Sequence, residues 1–232
     1  MNRIVTKGIV LSRTDYGEAD RILTFLTADH GKIRAIAKGV RKQKSRLAGG
    51  IELFSISDLT FLEGRSEINT LISSRLHKHY ANIVKDLDRT ATAYELIKFT
   101  NKATEDGPES AYFNLLNSGF IALDDDSINL AVIQTWFAAQ LLKIAGHTPN
   151  LHTDKSGEKL QAGKTYEFNF DDMSFQASRA EHDSFGADQI KFLRLIFSDN
   201  QPKNLQKIQG ATGLATSCQP LVTSMMRGYI RI

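Results

Sequence analysis

Cysteine is nearly absent from this chain, and long apolar runs are missing altogether. Cys218 is the single cysteine among 232 residues, which excludes an internal disulfide and any zinc site built from several cysteines. A lone thiol is typical of a reducing compartment, so we predict a cytoplasmic protein. No run of about eighteen apolar residues occurs, which excludes a transmembrane helix, and the N-terminus lacks the cleavage site of a signal peptide.

The motifs of the common enzyme classes are also missing. The sequence contains no G-x-S-x-G, no P-loop, no G-x-G-x-x-G and no H-E-x-x-H. His77 and His79 have a spacing that could bind a metal on a strand, but few acidic residues and no cysteine lie nearby, which favours surface histidines. We therefore predict a protein that is not an enzyme and that binds no cofactor and no metal.

Three adjacent aspartates at residues 124–126 are the strongest hint of metal chemistry. A nuclease that uses two metal ions needs carboxylates that converge from different elements, whereas these three are neighbours in the chain. Aspartates that precede a helix more simply cap it and complement its dipole. A metal-dependent nuclease is therefore the least favoured alternative.

Positive charge is concentrated at the start of the chain. Residues 1–50 carry eleven Lys and Arg against four Asp and Glu, although the whole chain has 29 against 26. Such a basic segment on a neutral body predicts an anionic partner, of which nucleic acid is the commonest. The amphipathic basic helix that would favour a membrane surface is not found.

Residues 1–76 have the two-residue period of β-strands. Five strand-like segments are separated by turn signals such as Tyr16-Gly17 and Gly49-Gly50, which predicts a small closed barrel. The third segment is two-faced because side chains alternate along a strand. Its apolar face holds Ile33, Ala35 and Ala37, and its basic face holds Lys32, Arg34 and Lys38.

After residue 76 the period changes to that of helices. The pattern predicts helices within residues 81–105, 109–125, 126–146 and 187–199 and a C-terminal helix around residues 220–232. The third of these is apolar almost all round, which is typical of a central helix. Residues 164–178 alternate on both sides of Asp171-Asp172, which predicts a β-hairpin. The sequence therefore indicates an α+β protein with a β domain at residues 1–77 and a mostly helical domain at 78–232.

The barrel is the candidate site because a basic barrel face suits single-stranded nucleic acid. Cations would bind phosphates, and exposed aromatic rings would stack on bases; Tyr16, in the first turn, is the aromatic candidate. We expect a mobile loop at residues 38–46. The predicted binding residues are Arg13, Lys32, Arg34, Lys38, Arg41, Lys42, Lys44 and Arg46.

The order of residues in this region resembles the start of the RecO family of recombination mediators. The matching segments are Gly8, Val10, Leu11 and Arg13; Tyr16-Gly17-Glu18 with Asp20; Leu26-Thr27 with Gly31-Lys32; and Ala37-Lys38-Gly39-Val40-Arg41 with Ser45. The segment "LLKIAGHTPNL" is similar to a later part of the family. The resemblance implies an OB-fold for the N-terminal domain.

The resemblance also implies a function in DNA repair and homologous recombination. A family member would bind single- and double-stranded DNA, anneal complementary strands and help load recombinase onto coated single strands, in association with the nucleoid. Its partners would be RecR and the acidic C-terminal tail of single-strand-binding protein, for which Lys98, Lys102 and Lys143 are candidate contacts. The alternative from another class is an RNA-binding or ribosome-associated OB-fold module.

This sequence departs from the family at a zinc site. Many members carry two C-x-x-C pairs after the P-x-L segment, but here Asp154 and Gly157 occupy the first pair's place. The second pair would fall near residues 176–183, again without cysteine. We therefore expect no structural zinc, and we expect the β-hairpin to keep its shape by its own packing.

Overall fold

The computed structural model of the chain describes residues 2–64, 67–104, 110–178 and 184–230. These residues divide into two compact units, Met1–Asp125 and Asp126–Ile232. The change from strands to helices follows His79, inside the first unit. The domain boundary near residue 77, which rests on that change of period, stays a prediction.

Five strands form a closed barrel in the first unit. They lie in the order β1–β2–β3–β5–β4, and β4 pairs with β1 to close the ring. β3 and β5 are parallel, and the other pairs are antiparallel. The sequence-based prediction of a five-stranded OB-fold barrel is confirmed. The strands are β1 (Arg3–Tyr16), β2 (Asp20–Thr27), β3 (Lys32–Ala37), β4 (Ser55–Leu62) and β5 (Asn69–His79).

Alternating apolar residues fill the barrel. Phe25 and Phe61 meet edge to face with their ring centroids 5.4 Å apart, a favourable geometry for aromatic pairs. Ile33, Ala35 and Ala37 are buried as the alternation in β3 predicts. The outward face of β3 therefore holds Lys32, Arg34 and Ile36, and Lys38 follows the last residue of the strand.

Two helices complete the first unit. α1 (Leu87–Ala103) begins behind Asp86, whose carboxylate accepts a hydrogen bond from the Arg89 backbone N–H, and α2 (Ser110–Asp124) follows. The Arg89 guanidinium is buried and donates to the carbonyl groups of Leu123 and Asp125 at the end of α2. These bonds satisfy carbonyls that a helix end leaves unpaired.

Asp124–Asp126 do not cap the following helix, contrary to the sequence-based interpretation. Asp124 is the last residue of α2, and its carboxylate accepts a hydrogen bond from the Asn82 backbone N–H. The next helix, α3 (Leu130–Ile144), is capped instead by Asn129, whose side chain accepts from the Ala131 N–H. Asparagine is as favourable an N-cap as aspartate, so residue type alone does not distinguish Asn129 from the three aspartates.

The second unit is built around α3, which is buried along much of its length. Trp136 donates from Nε1 to the carbonyl of Asn200, and Thr135 donates to that of Ala215. No helix among the described residues is long and apolar enough to span a membrane. The further elements are β6 (Asn150–Asp154), β7 (Thr165–Asn169), β8 (Ser174–Ser178), α4 (Ala187–Ile196), α5 (Pro202–Leu205) and α6 (Ala211–Tyr229).

The predicted β-hairpin is present as β7 and β8. These strands pair antiparallel from Thr165 opposite Ser178 to Asn169 opposite Ser174, and β6 adds a third strand on the far side of β8. The predicted C-terminal helix is present as α6, but it is longer than the segment around residues 220–232, because it begins at Ala211 and continues through Pro220. Small buried residues, Ala211, Ala215 and Cys218, precede the proline and give little periodic signal in the sequence.

Candidate nucleic-acid interface

The outer surface of β1, β2 and β3 has two halves that a bulge separates. The pairing of β1 with β2 shifts between Val10 and Ser12, so β1 bends there. On one side of the bulge, Ile9 and Leu26 pair on the outer surface and are 0% and 1% exposed. α1 contacts β1 and α2 contacts β2, so this half, which we call the covered half, lies beneath helices.

Lys32 belongs to the covered half. It lies opposite Leu26, and its Nζ donates to the Asn101 carbonyl in the last turn of α1 over 2.8 Å. A cation near a helix C-terminus is stabilised by the helix dipole. Lys32 therefore supports α1, although the sequence places it among the phosphate-binding candidates.

The other half is open to solvent. Beyond the bulge, one row of paired residues crosses the three strands at Ser12, Thr24 and Arg34. The next row crosses them at Thr14, Ile22 and Ile36. Directly opposite residues of an antiparallel pair project from the same face of the sheet. This surface, which we call the open face, consists of Ser12, Thr14, Tyr16, Ile22, Thr24, Arg34, Ile36 and Lys38.

Arginines surround a single carboxylate on the opposite side of the β1–β2 ribbon. Asp15 Oδ1 accepts from Arg21 Nε at 2.7 Å, and Asp15 Oδ2 lies 3.6 Å from Arg41 Nε. The hydrogen bond from Arg21 lowers the pKa of Asp15, and the charges of Arg41 and Arg13 lower it further. Positive charge thus exceeds negative charge here, which favours an anion.

The segment 38–46 is held by hydrogen bonds rather than lying loose. Gly39 adopts φ +65° and donates its N–H to the Asp20 carboxylate at 2.7 Å, and the Arg41 N–H donates to the Ala19 carbonyl at 2.9 Å. Val40 is buried in the barrel core. The loop is therefore anchored at its start to the β1–β2 turn, and its mobility stays a prediction.

Gly50 anchors the far end of this loop. A Cβ at Gly50 would lie 2.6 Å from the backbone carbon and side chain of Ser74, so only glycine fits against β5. The Ser74 hydroxyl also donates to the Leu47 carbonyl. The exposed cations between the two anchors are therefore presented by a defined backbone.

Arg34 and Lys38 belong to the open face, and Lys42, Lys44 and Arg46 lie on the segment that follows β3. Among the described residues, none of these five cations pairs with a carboxylate: Arg34, Lys38, Lys42, Lys44 and Arg46. Arg13 and Arg41 belong to the cluster around Asp15. Arg21 also belongs to this cluster, but it was not among the predicted residues. Its place near the start of β2, directly across a turn from Asp15, is the signal in the sequence that could have revealed it.

The three candidate partner contacts are divided between the two units. Lys98 and Lys102 are exposed on α1, one helical turn apart, in the first unit. Lys143 lies on α3 in the second unit, and its Nζ pairs with Asp199 at 2.8 Å. Lys143 is therefore already engaged by a carboxylate.

Hydrogen bonds hold the segment where the family resemblance places the first C-x-x-C pair. The Asp154 carboxylate accepts from the Ser156 hydroxyl and from the backbone N–H groups of Ser156 and Glu158, and these bonds lower its pKa. Gly157 completes the turn with φ +85°. Among the described residues no group of three or more metal-binding side chains occurs. The second pair's place falls partly on residues 179–183, outside the described residues.

Comparisons with known proteins link this chain to bacterial repair proteins. Residues 1–80 match the family described as recombination protein O N terminal. The chain is 35% identical over 149 residues to a DNA repair protein RecO of Alkaliphilus metalliredigens, which is 64% of this chain and 60% of that protein. It is 37% identical over 147 residues to the protein of the same name from Bifidobacterium adolescentis, covering 62% and 60%. The chain thus spans about 60% of the length of these relatives.

Proposed function

We propose that this chain, whose residues 1–80 match the N-terminal family of recombination protein O, acts in DNA repair and recombination by binding DNA on its barrel. The observation that carries this proposal is a set of cations, on β3 and on the segment that follows it, that pair with no carboxylate among the described residues: Arg34, Lys38, Lys42, Lys44 and Arg46. Contacts to phosphate supply most of the affinity of proteins that bind nucleic acid without sequence preference. Such binding would locate the protein at the nucleoid.

Strand annealing would follow from charge neutralisation. Two complementary strands repel each other through their phosphates, and cations on the protein would reduce this repulsion while base pairs form. No covalent step is required. The names of the relatives describe DNA repair proteins and mention no enzymatic activity.

The salt dependence of DNA binding tests the proposal. Replacement of Lys38, Lys42, Lys44 and Arg46 by alanine removes four cations, and each phosphate contact to a single strand contributes about −0.7 to the slope of log K against log salt. We expect the slope to become less steep by about 2 to 3. The measurement is fluorescence anisotropy of a labelled oligonucleotide at several salt concentrations.

The matched control removes the same charges elsewhere. Lys159, Lys164, Lys207 and Arg227 are exposed side chains of the second unit, and alanine at these four positions also removes three lysines and one arginine. This control variant should keep the wild-type slope. Equal slopes for the loop variant and the wild-type protein would contradict the assignment of the interface to this loop.

The RNA-binding alternative predicts a different competition result. A DNA mediator should anneal complementary DNA oligonucleotides, and RNA of matched sequence should not displace the DNA preferentially. Annealing should also persist on strands coated with single-strand-binding protein. Preferential binding of RNA without annealing would favour the OB-fold module of the alternative class.

Two protein partners complete the proposal: RecR and the acidic tail of single-strand-binding protein. An apolar tail residue needs a pocket with a cation beside it. The second unit has an open groove of about 650 Å³ between α4 and the start of α6, with Phe192, Leu195 and Leu214 in its wall. Lys191 also lines the groove, where its Nζ lies 3.4 Å from the carboxylate of Asp188. Titration of a labelled tail peptide should saturate with the wild-type protein and weaken with Lys191→Ala. Weakening with Lys98→Ala and Lys102→Ala instead would place the tail on α1.

A further inference from the structure

Tyr16 differs from every other tyrosine of the chain. Its side chain is 55% exposed at the end of β1, and it has no hydrogen bond or ring partner among the described residues. The other five tyrosines each have a partner. Tyr80 forms a hydrogen bond with Asn117, and Tyr166 accepts one from the Gln161 N–H. The ring of Tyr94 contacts that of Phe54, and the ring of Tyr229 stacks on His147. Tyr112 also has a partner within the fold.

The surroundings of Tyr16 are apolar with a basic border. On the open face, Tyr16 follows Thr14, which lies in one row with Ile22 and Ile36; both isoleucines are half-buried and point away from the barrel core. Neighbouring rows are roughly 7 Å apart along a strand. Arg34 and Lys38 border this apolar strip on β3. A flat apolar surface beside cations suits a nucleobase whose phosphates reach the cations.

The β1–β2 turn holds Tyr16 in a defined position. Gly17 has φ +56°, which a tight turn requires, and its carbonyl lies 3.4 Å from Arg41 Nη1. Asp15, next to Tyr16, is bonded to Arg21. An aromatic ring on a fixed backbone has few rotamers to lose, so a contact to it costs little conformational entropy.

We infer that Tyr16 stacks on an unpaired base and so makes the open face select single-stranded over double-stranded DNA. This inference rests on the proposed DNA binding and refines it. Bases in a duplex are stacked on each other, so their faces are closed to an external ring, whereas phosphates are available in both forms. The loop cations would therefore bind either form, and Tyr16 would bind only the single strand.

Substitutions of Tyr16 separate stacking from charge, since none of them changes a charge. We expect Tyr16→Ala to weaken binding of a single-stranded oligonucleotide about 5- to 100-fold. Binding of a blunt duplex with the same number of phosphates should change less than about twofold. Tyr16→Phe should restore single-strand binding because it retains the ring, whereas Tyr16→Leu should not. The readout is the ratio of the two dissociation constants at one salt concentration.

A fluorescent base analogue gives a second readout. The emission of 2-aminopurine in the oligonucleotide should change on binding to the wild-type protein and to Tyr16→Phe, but not to Tyr16→Ala, because the signal reports stacking. The inference is overturned if Tyr16→Ala weakens binding of the single strand and of the duplex equally, or if Tyr16→Leu binds the single strand as tightly as the wild-type protein does. In either case the salt slope measured with the loop variant still tests DNA binding separately. Failure of the wild-type protein to bind either form would overturn the proposed function and this inference together.

Discussion

The same three strands form the covered half and the open face, yet the outward residues are buried in the first and exposed in the second. In the covered half, the outward residues Ile9 and Leu26 are fully buried beneath α1 and α2. On the open face, the outward residues Ile22 and Ile36 stay half-exposed, and Tyr16 projects into solvent. The alternation of side chains is the same in both, so the packing of later helices decides which outward residues can meet a ligand.

Two cations of one strand illustrate the difference. Lys32 and Arg34 are two residues apart on the outward side of β3, and the sequence alone makes them equivalent. Lys32 donates to the end of α1, whereas Arg34 pairs with no carboxylate among the described residues. One cation therefore serves the fold, and the other is available to an anion.

The largest effect should come from the residue that fixes the helices of the first unit. Arg89 is 9% exposed, and Arg89→Met leaves the carbonyls of Leu123 and Asp125 without their charged donor. We expect the free energy of unfolding to fall by about 2 to 3 kcal/mol in urea denaturation. Arg75→Met, at an exposed site on β5, is the control and should leave stability unchanged. Similar losses in both variants would show that Arg89 has no special anchoring role.

A matched pair on β3 tests the two halves directly. Lys32→Met removes the donor to Asn101, so we expect a loss of about 1 kcal/mol in the free energy of unfolding with an unchanged salt slope. Arg34→Met should leave stability within about 0.5 kcal/mol but make the slope for single-stranded DNA less steep by about 0.7. The measurements are urea denaturation and anisotropy titration. The reverse outcome, with Lys32→Met changing the slope, would contradict the distinction.

The smallest effect concerns Asp15 and depends on pH. The pKa of Asp15 in the folded protein is lowered by Arg21 from its usual 3.8, so its ion pair stabilises the fold above that value and loses this effect as the pH falls below it. We expect Asp15→Asn to lower the melting temperature slightly at pH 6 and not at pH 2.5. A difference that grows at low pH would refute this sign. Glu18→Gln, at an exposed turn position, is the control.

Much of the barrel could be predicted because its signal is local. The two-residue period of β3, the turns at Gly17 and Gly31, and the concentration of Lys and Arg in residues 1–50 all depend on neighbours in the chain. The same holds for the hairpin around Asp171-Asp172, since its two strands flank one turn. The start of α6 was not predicted because the small residues before Pro220 give little periodic signal. The cap of α3 was assigned wrongly because asparagine and aspartate are equally good caps.

The sequence by itself determined the barrel, its basic outward face and the resemblance to the RecO family, because alternation, turn residues and motif order depend only on the order of residues along the chain. Only the tertiary structure decided that Lys32 donates to α1, that Arg21 pairs with Asp15, and that Tyr16 has no partner among the described residues. The physical reason is that availability depends on burial and on hydrogen-bond partners distant in sequence. A cation or a ring can bind a ligand only where the rest of the chain leaves it unpaired.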